Sequence, residues 1–299
     1  MLILALDSLE DLDSVMTSKP DAVCIGLDPL CSRSRAIVDL ERLPAVIESF
    51  HDQKIKVFIN AQAMVEQKLY PQIQETFYAA LDAGADGFYI ADDGYITMAD
   101  EYEAQSGRSV RNLLIMQPET LLCSGEDAAF YLDQGLQAAS LAHELTCDEI
   151  VKSARISQKP DQIEVLIAGY YMWMESRRPL LENYLRYIGK PDQFEPHEIY
   201  RIQEQLRPAK LPIWQDEKGT HVLADTPIQA GVDILAMKEA GMERFRIDSF
   251  LMGNDWGALQ VKLYRDLLEH PDKAVSFAIP STLFAAPSLI RKEKDNGRH

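Results

Sequence analysis

The chain has 299 residues, 46% of them hydrophobic and 26% charged, enough apolar material for a large core and without the bias that marks disordered or fibrous sequences. Lys and Arg number 30 against 47 Asp and Glu, a net charge of −17; a field of that sign repels phosphate backbones, so a stand-alone nucleic-acid binder is not expected. Four cysteines, at 24, 31, 123 and 147, form no CxxC pair, which argues against a zinc site and against a disulfide framework.

The opening MLILALDS is an apolar run broken by Asp7. It is too short for a signal peptide or a membrane span and reads as a buried strand of a cytoplasmic protein without membrane contact. LILAL (2–6) is followed by AVCIG (22–26), KVFIN (56–60), GFYIA (87–91), LLIMQ (113–117), AASLA (138–142), IEVLIAG (163–169) and RFRID (244–248). Amphipathic stretches at 66–83, 126–134, 147–157 and 228–240 lie between them, several closed by Gly-containing turns suited to a left-handed helix cap. Alternating units of this kind predict a parallel sheet. Eight of them predict an α/β fold, a (β/α)8 TIM-like barrel forming one domain over 1–280; an open doubly wound sheet uses the same units and is the alternative. Cys24 falls inside an apolar run and is expected in the core.

Residues 170–243 separate the seventh and eighth strands by far more than a usual connection and therefore predict an insertion between them. Within it LPIWQ and HVLAD flank DEKG, a hairpin with its turn at Asp216–Gly219. The tail, 281–299, is expected to be flexible.

In parallel barrels the working residues lie at the carboxyl ends of the strands. That rule selects Asp7, Asp28, Asn60, Asp92, Asp93, Gln117, Glu119, His143, Glu144, Tyr170 and Asp248. Asp28, Asp93 and Asp248 read equally well as helix caps or loop residues. His143, Glu144, Glu119 and Asp248 are the catalytic candidates, because His titrates near neutrality and a neighbouring carboxylate tunes it. Thr146 with Glu149 makes a capping box, a structural explanation for part of HELTCDE. Asn60, Asp92, Tyr170, Ser176, Arg177 and Arg178 are the ligand-binding candidates. Two adjacent arginines can hold a carboxylate or phosphate through forked hydrogen bonds that Lys cannot match; the competing reading is an ion pair with an acidic neighbour. Pro179 predicts a helix starting at about Leu180. HExxH, GxSxG, P-loop and GxGxxG motifs are all missing and the six histidines are scattered, so no metal is expected.

The segments AGADGFYIADDG, QPETLLCSGEDAAFYLDQG, LAHELTCDEI, EVLIAGYYMWMESRRP, GTHVLAD and FRIDSFLMG, in this order between about Leu2 and Gly253, resemble the peptidase U32 family, often called collagenase-like proteases. Glu164, Leu166, Gly169 and Ser176 match positions of that family's signature. The resemblance implies a hydrolase label. In relatives it also implies a four-iron, four-sulfur cluster used in oxygen-independent hydroxylation of tRNA, rRNA or quinone precursors. Met172 and Pro179 stand where the signature has two cysteines, and none follows Cys147. Ala168 stands where many relatives have His, and His143 where many have Arg. Ligation of the cluster takes four thiolates, so no cluster and no other cofactor is expected. The chain resembles the small cysteine-poor members linked to 5-hydroxyuridine formation at the tRNA wobble position. That implies a non-cluster partner of a larger cysteine-bearing U32 paralogue, meeting tRNA only through the complex and binding a small carboxylate through Arg177 and Arg178. A peptidase in which Glu144 or His143 activates water, and a barrel enzyme acting on a small anionic metabolite, are the alternatives. Whether the chain is itself an enzyme stays open.

Overall fold

A computed structural model of the chain describes residues 1–203, 205, 208–277 and 279–283. In chain order the strands are β1 (Leu2–Ala5), β2 (Ala22–Leu27), β3 (Ile37–Val38), β4 (Lys56–Ala61), β5 (Gly87–Ile90), β6 (Leu114–Met116), β7 (Ala138–Ser140), β8 (Ile163–Gly169), β9 (Met172–Ser176), β10 (Tyr200–Gln203), β11 (Lys210–Asp216), β12 (Gly219–Leu223), β13 (Ile228–Gln229) and β14 (Arg244–Asp248). The helices are α1 (Asp13–Ser18), α2 (Leu43–His51), α3 (Tyr70–Asp82), α4 (Gly94–Ser106), α5 (Gly125–Asp133), α6 (Cys147–Ile156), α7 (Leu180–Tyr187), α8 (Ile234–Glu239) and α9 (Asn254–Glu269). Every one of the eight apolar runs contains a strand. β1, β2, β4, β5, β6, β7, β8 and β14 pair in parallel in that order, and β1 closes the circle, with Leu4 opposite Val23 of β2 and Ile247 of β14. The fold is a closed eight-stranded barrel of the TIM type.

Alternation along the strands divides the core in two. Val23, Ile25, Val57, Ile59, Phe88, Ile90, Phe245 and Ile247 face the helices, while Ile3, Ala22, Cys24, Phe58, Tyr89, Ile115 and Ala138 fill the barrel. On the inward face of β14 the alternating positions are Arg244, Arg246 and Asp248. Thr146 and Glu149 form the expected capping box at the start of α6. Among the described residues no helix is long and apolar enough to cross a membrane.

The chain divides into two compact units, one made of Met1–Gly169 and the chain from Ile228 onward, the other of Tyr170–Pro227. The inserted unit is thus shorter than the interval 170–243. Ile228 and Gln229 add β13 antiparallel to the end of β8, and only Ile234–Glu239 of the amphipathic stretch 228–240 is α-helical. The second unit is a four-stranded antiparallel sheet ordered β10-β11-β12-β9, with α7 beginning at Leu180 after Pro179. Its β11–β12 hairpin turns as the sequence indicates, because Asp216 Oδ1 accepts the amide N–H of Lys218 at 2.8 Å and of Gly219 at 3.0 Å. At the start of the expected flexible tail, Ser281 Oγ bonds Asp233 and the Thr282 amide donates to the Gln229 carbonyl, so 281 and 282 are tied to the barrel. The remainder of the tail from 284 lies outside the described residues.

Gly169 ends β8 at a φ of +132°, and a Cβ there would stand 2.4 Å from the Asp248 carbonyl oxygen. Neither the backbone conformation nor the space admits a side chain. Gly169→Ala is expected to destabilise the protein by about 2 kcal/mol or more, measured by urea unfolding; an unchanged midpoint would show that β8 and β14 separate more easily than this contact implies.

Candidate functional site

A ladder of alternating charge runs up the barrel axis to the carboxyl ends of the strands. At its base Glu164, fully buried, accepts from Arg244 Nη2 at 3.1 Å, from Arg244 Nε at 3.3 Å and from the Tyr89 hydroxyl at 3.0 Å. Arg246 comes next, with Nε 3.9 Å from Glu164 Oε1 and Nη1 3.8 Å from Asp248 Oδ2. Above it Asp248 Oδ2 accepts both terminal nitrogens of Arg33 at 3.3 Å, and Arg33 Nη2 also reaches Glu119 Oε1 at 3.5 Å. Glu119 takes a further hydrogen bond from Gln62 Nε2 at 3.2 Å, and its other oxygen lies 2.9 Å from His143 Nε2.

Three arginines therefore balance three carboxylates in a region where solvent contributes little. A buried charge is tolerated only when paired, and removing one partner of such a pair typically costs about 3 to 5 kcal/mol. Burial disfavours ionisation of Glu119, yet the His143 hydrogen bond and the Arg33 charge outweigh it and hold the carboxyl well below the usual range. Burial likewise opposes the charge of Arg246, but Asp248 and Glu119 prevail and raise its pKa above the ordinary value. Two ladder residues also sit in left-handed backbone, Arg33 at φ 47° and Glu119 at φ 55°, a conformation that costs non-glycine residues on the order of 1 kcal/mol or more and recurs at ligand sites.

Not every donor is used. Arg246 Nε and Nη2 have no hydrogen-bond partner although the side chain is 4% exposed. Arg246 lines a cavity of about 20 Å³ together with Arg33, Asn60, Gln62, Tyr89 and Asp248, a space that fits about one water molecule. Asn60 shapes its rim, accepting from the Ser32 amide at 3.3 Å and donating to the Ser32 carbonyl at 2.9 Å. These bonds hold the loop after β2 that delivers Arg33. The arrangement can bind and orient an anionic or strongly polar group. Glu119, kept ionised, is an acceptor rather than a proton donor.

The structure brings together Asn60, Gln117, Glu119, His143 and Asp248 of the residues selected from the sequence. Glu144 is exposed beside the buried His143, because the turn into α6 points consecutive side chains apart. Asp92 staples a loop, accepting from the Val65 amide at 3.0 Å and the Gly94 amide at 2.8 Å. Asp7 pairs with Arg35 and accepts the Leu251 amide. Tyr170, Ser176, Arg177 and Arg178 all belong to the second unit. The chain after Gly169 forms β9 instead of a loop, so the arginine pair sits on the turn between β9 and α7, where both are exposed. Arg177 lines a cleft there with Glu182, Asp216 and Glu217, acidic neighbours that offset its charge. Arg33, Gln62 and Arg246 escaped the sequence reading. Alternation of charge in RFRID was the available signal for Arg246, whereas nothing local marks Arg33, which reaches the site from a loop.

Two of the four cysteines, Cys24 and Cys31, are buried, Cys147 is partly buried and Cys123 is exposed. Burial pushes the Cys24 thiol far up and the Cys147 thiol up to about 11, and it also raises that of the exposed Cys123. Among the described residues no three His, Cys, Asp or Glu side chains are gathered as metal ligands.

A family model described as Peptidase family U32 matches residues 7–282. The tRNA hydroxylation protein P2 of Bacillus subtilis (strain 168) is 22% identical over 271 residues, 90% of this chain and 85% of that protein. The solved U32 peptidase Mk0906 aligns with a TM-score of 0.46 at 12% identity over 83% of this chain and 91% of that one. A GH18 chitinase from Cycas revoluta aligns at 0.43 and 9% identity over 88% and 98%.

Glu119→Gln keeps the shape of the side chain and removes its charge, and is expected to cost about 2 to 3 kcal/mol near pH 7. The folded carboxyl titrates below its unfolded value of about 4.3, so its contribution is complete above that pH and fades as the pH falls through the folded value. The stability gap between the wild type and the variant should accordingly narrow below about pH 4.3 in urea titrations; a gap that is constant or widens on acidification would show that Glu119 is not held ionised by its partners.

Proposed function

We propose, from the premise that this chain belongs to peptidase family U32, that it takes part in tRNA wobble-uridine hydroxylation as a subunit without an iron–sulfur cluster, beside a larger cysteine-bearing partner. The observation that carries this reading is the likeness to the tRNA hydroxylation protein P2, which extends over 90% of the chain. Met172 and Pro179 at the family's cysteine positions and four dispersed thiols support the non-cluster role. The net charge of −17 supports contact with tRNA through the complex rather than by this chain alone. Within the complex the barrel mouth holds a small carboxylate or a comparable anion. Arg246 is better suited to that than Arg177 and Arg178, because it is buried with two N–H groups that have no hydrogen-bond partner, whereas the arginine pair is exposed.

Proteolysis has less support. A water-activating base must face the site with a free acceptor, whereas Glu144 is exposed beside the buried His143 and the Nε2 of His143 is engaged by Glu119 at 2.9 Å.

Deleting the gene in its host should abolish or strongly reduce 5-hydroxyuridine in total tRNA, read by nucleoside mass spectrometry, and a copy carrying Arg246→Lys should restore it only in part. An unchanged 5-hydroxyuridine level in the deletion strain refutes the proposal. The chain purified alone without oxygen should contain no stoichiometric iron and sulfide and should bind tRNA weakly at physiological salt. A brown, iron-loaded preparation, or tight binding that resists salt, would reverse the division of labour proposed here.

A further inference from the structure

Among the described residues of the second unit, one face of the sheet is only half covered. α7 lies over one half, where the Leu180 amide donates to Thr220 Oγ1 and the Leu181 amide to Gln215 Oε1, both at 2.9 Å. Leu181 and Leu185 are buried there. Two residues further along the strands the same face carries Met174, Val222 and Ile213 in register, followed by Leu211 opposite Ile202. In this half Trp173, Met174, Ile202, Gln203, Leu211 and Val222 line an open groove of about 250 Å³. Trp173 is 43% exposed, Met174 58% and Ile202 38%, an apolar exposure of the kind that marks interaction sites.

Charge narrows the choice of occupant. Among the described residues that line it none is cationic, so they offer none of the Lys and Arg that an RNA strand requires. Among the same described residues none is acidic either, so they offer a basic partner nothing to complement. Residues 170–227 contain eight Lys and Arg against nine Asp and Glu, near balance, in a chain where 30 oppose 47. Here two copies of a strongly acidic protein can approach with the least repulsion. We propose that this groove is a self-association face, on which a second copy of the chain packs the same half of its own sheet. A two-fold axis makes one apolar patch complementary to itself, and two inner sheet faces meet at the ordinary separation of about 10 Å. Met and Trp are residues favoured at the cores of such interfaces.

Sedimentation velocity on the full chain tests this between about 1 and 100 µM, at about 0.15 M and about 1 M salt. A dimer is expected that persists at high salt, because apolar contact does not weaken as charges are screened. Met174→Asp and Ile202→Asp, on opposite sides of the groove, should each raise the dimer dissociation constant at least about tenfold. Tyr187→Asp, at an 88% exposed position on α7 outside the groove, should leave it unchanged. A wild type that stays monomeric across this range overturns the proposal. So does a dimer that survives both groove substitutions, and so does a dimer that dissociates as readily with Tyr187→Asp.

Discussion

The constraint on which this structure depends is that charge buried inside a barrel must be neutralised inside it. β14 presents Arg244, Arg246 and Asp248 to the interior because strand side chains alternate, and once two guanidinium groups enter a closed barrel their partners are dictated. Glu164 on the neighbouring β8 answers Arg244, and Asp248 answers Arg246 from its own strand. Asp248 is then shared with Arg33, and Arg33 in turn with Glu119. Each pair is satisfied only by drawing in the next residue, so the ladder extends from the packed interior to the loops at the mouth.

That extension explains why the mouth is ordered without helix or sheet. Arg33 and Glu119 accept left-handed backbone, and Asn60 grips the loop that carries Arg33. The strain of these conformations is offset by charge pairing that would be lost if either loop relaxed. Asp248 is fixed as well, because Gly169 lets β8 approach within a distance no side chain would allow. The outcome is a rigid polar cradle whose most buried arginine keeps two N–H groups in reserve. Such a cradle suits recognition and positioning better than proton transfer.

The two units divide the remaining properties. Acidic charge is concentrated in the barrel unit, and exposed Trp and Met side chains mark the near-neutral inserted sheet. A strongly acidic protein associates most easily through a region where its own field is weak. The cleft at Arg177 fits the same pattern, since its acidic neighbours leave little net attraction for an anion.

Periodicity in the sequence was sufficient to determine the eight strand–helix units, and the pairing of β1 with both β2 and β14 decided for the closed barrel over the open sheet. Eight apolar runs, the Thr146–Glu149 cap and the Asp216–Gly219 turn each rest on contacts between residues close in the chain, and each is found where the local pattern indicates. His143, Glu119, Asn60 and Asp248 were also legible, because the carboxyl ends of barrel strands converge whatever the loops do. The tertiary structure alone decided which of these residues work together. Arg33 reaches Asp248 across 215 positions of sequence and Glu119 across 86, and no local propensity records such a pairing. It likewise decided that the chain after Gly169 becomes a strand, which carried Arg177 and Arg178 to a turn of the second unit. Pairing with a distant partner strand, β12, determines that outcome, and strand pairing depends on neighbours that a local reading cannot supply.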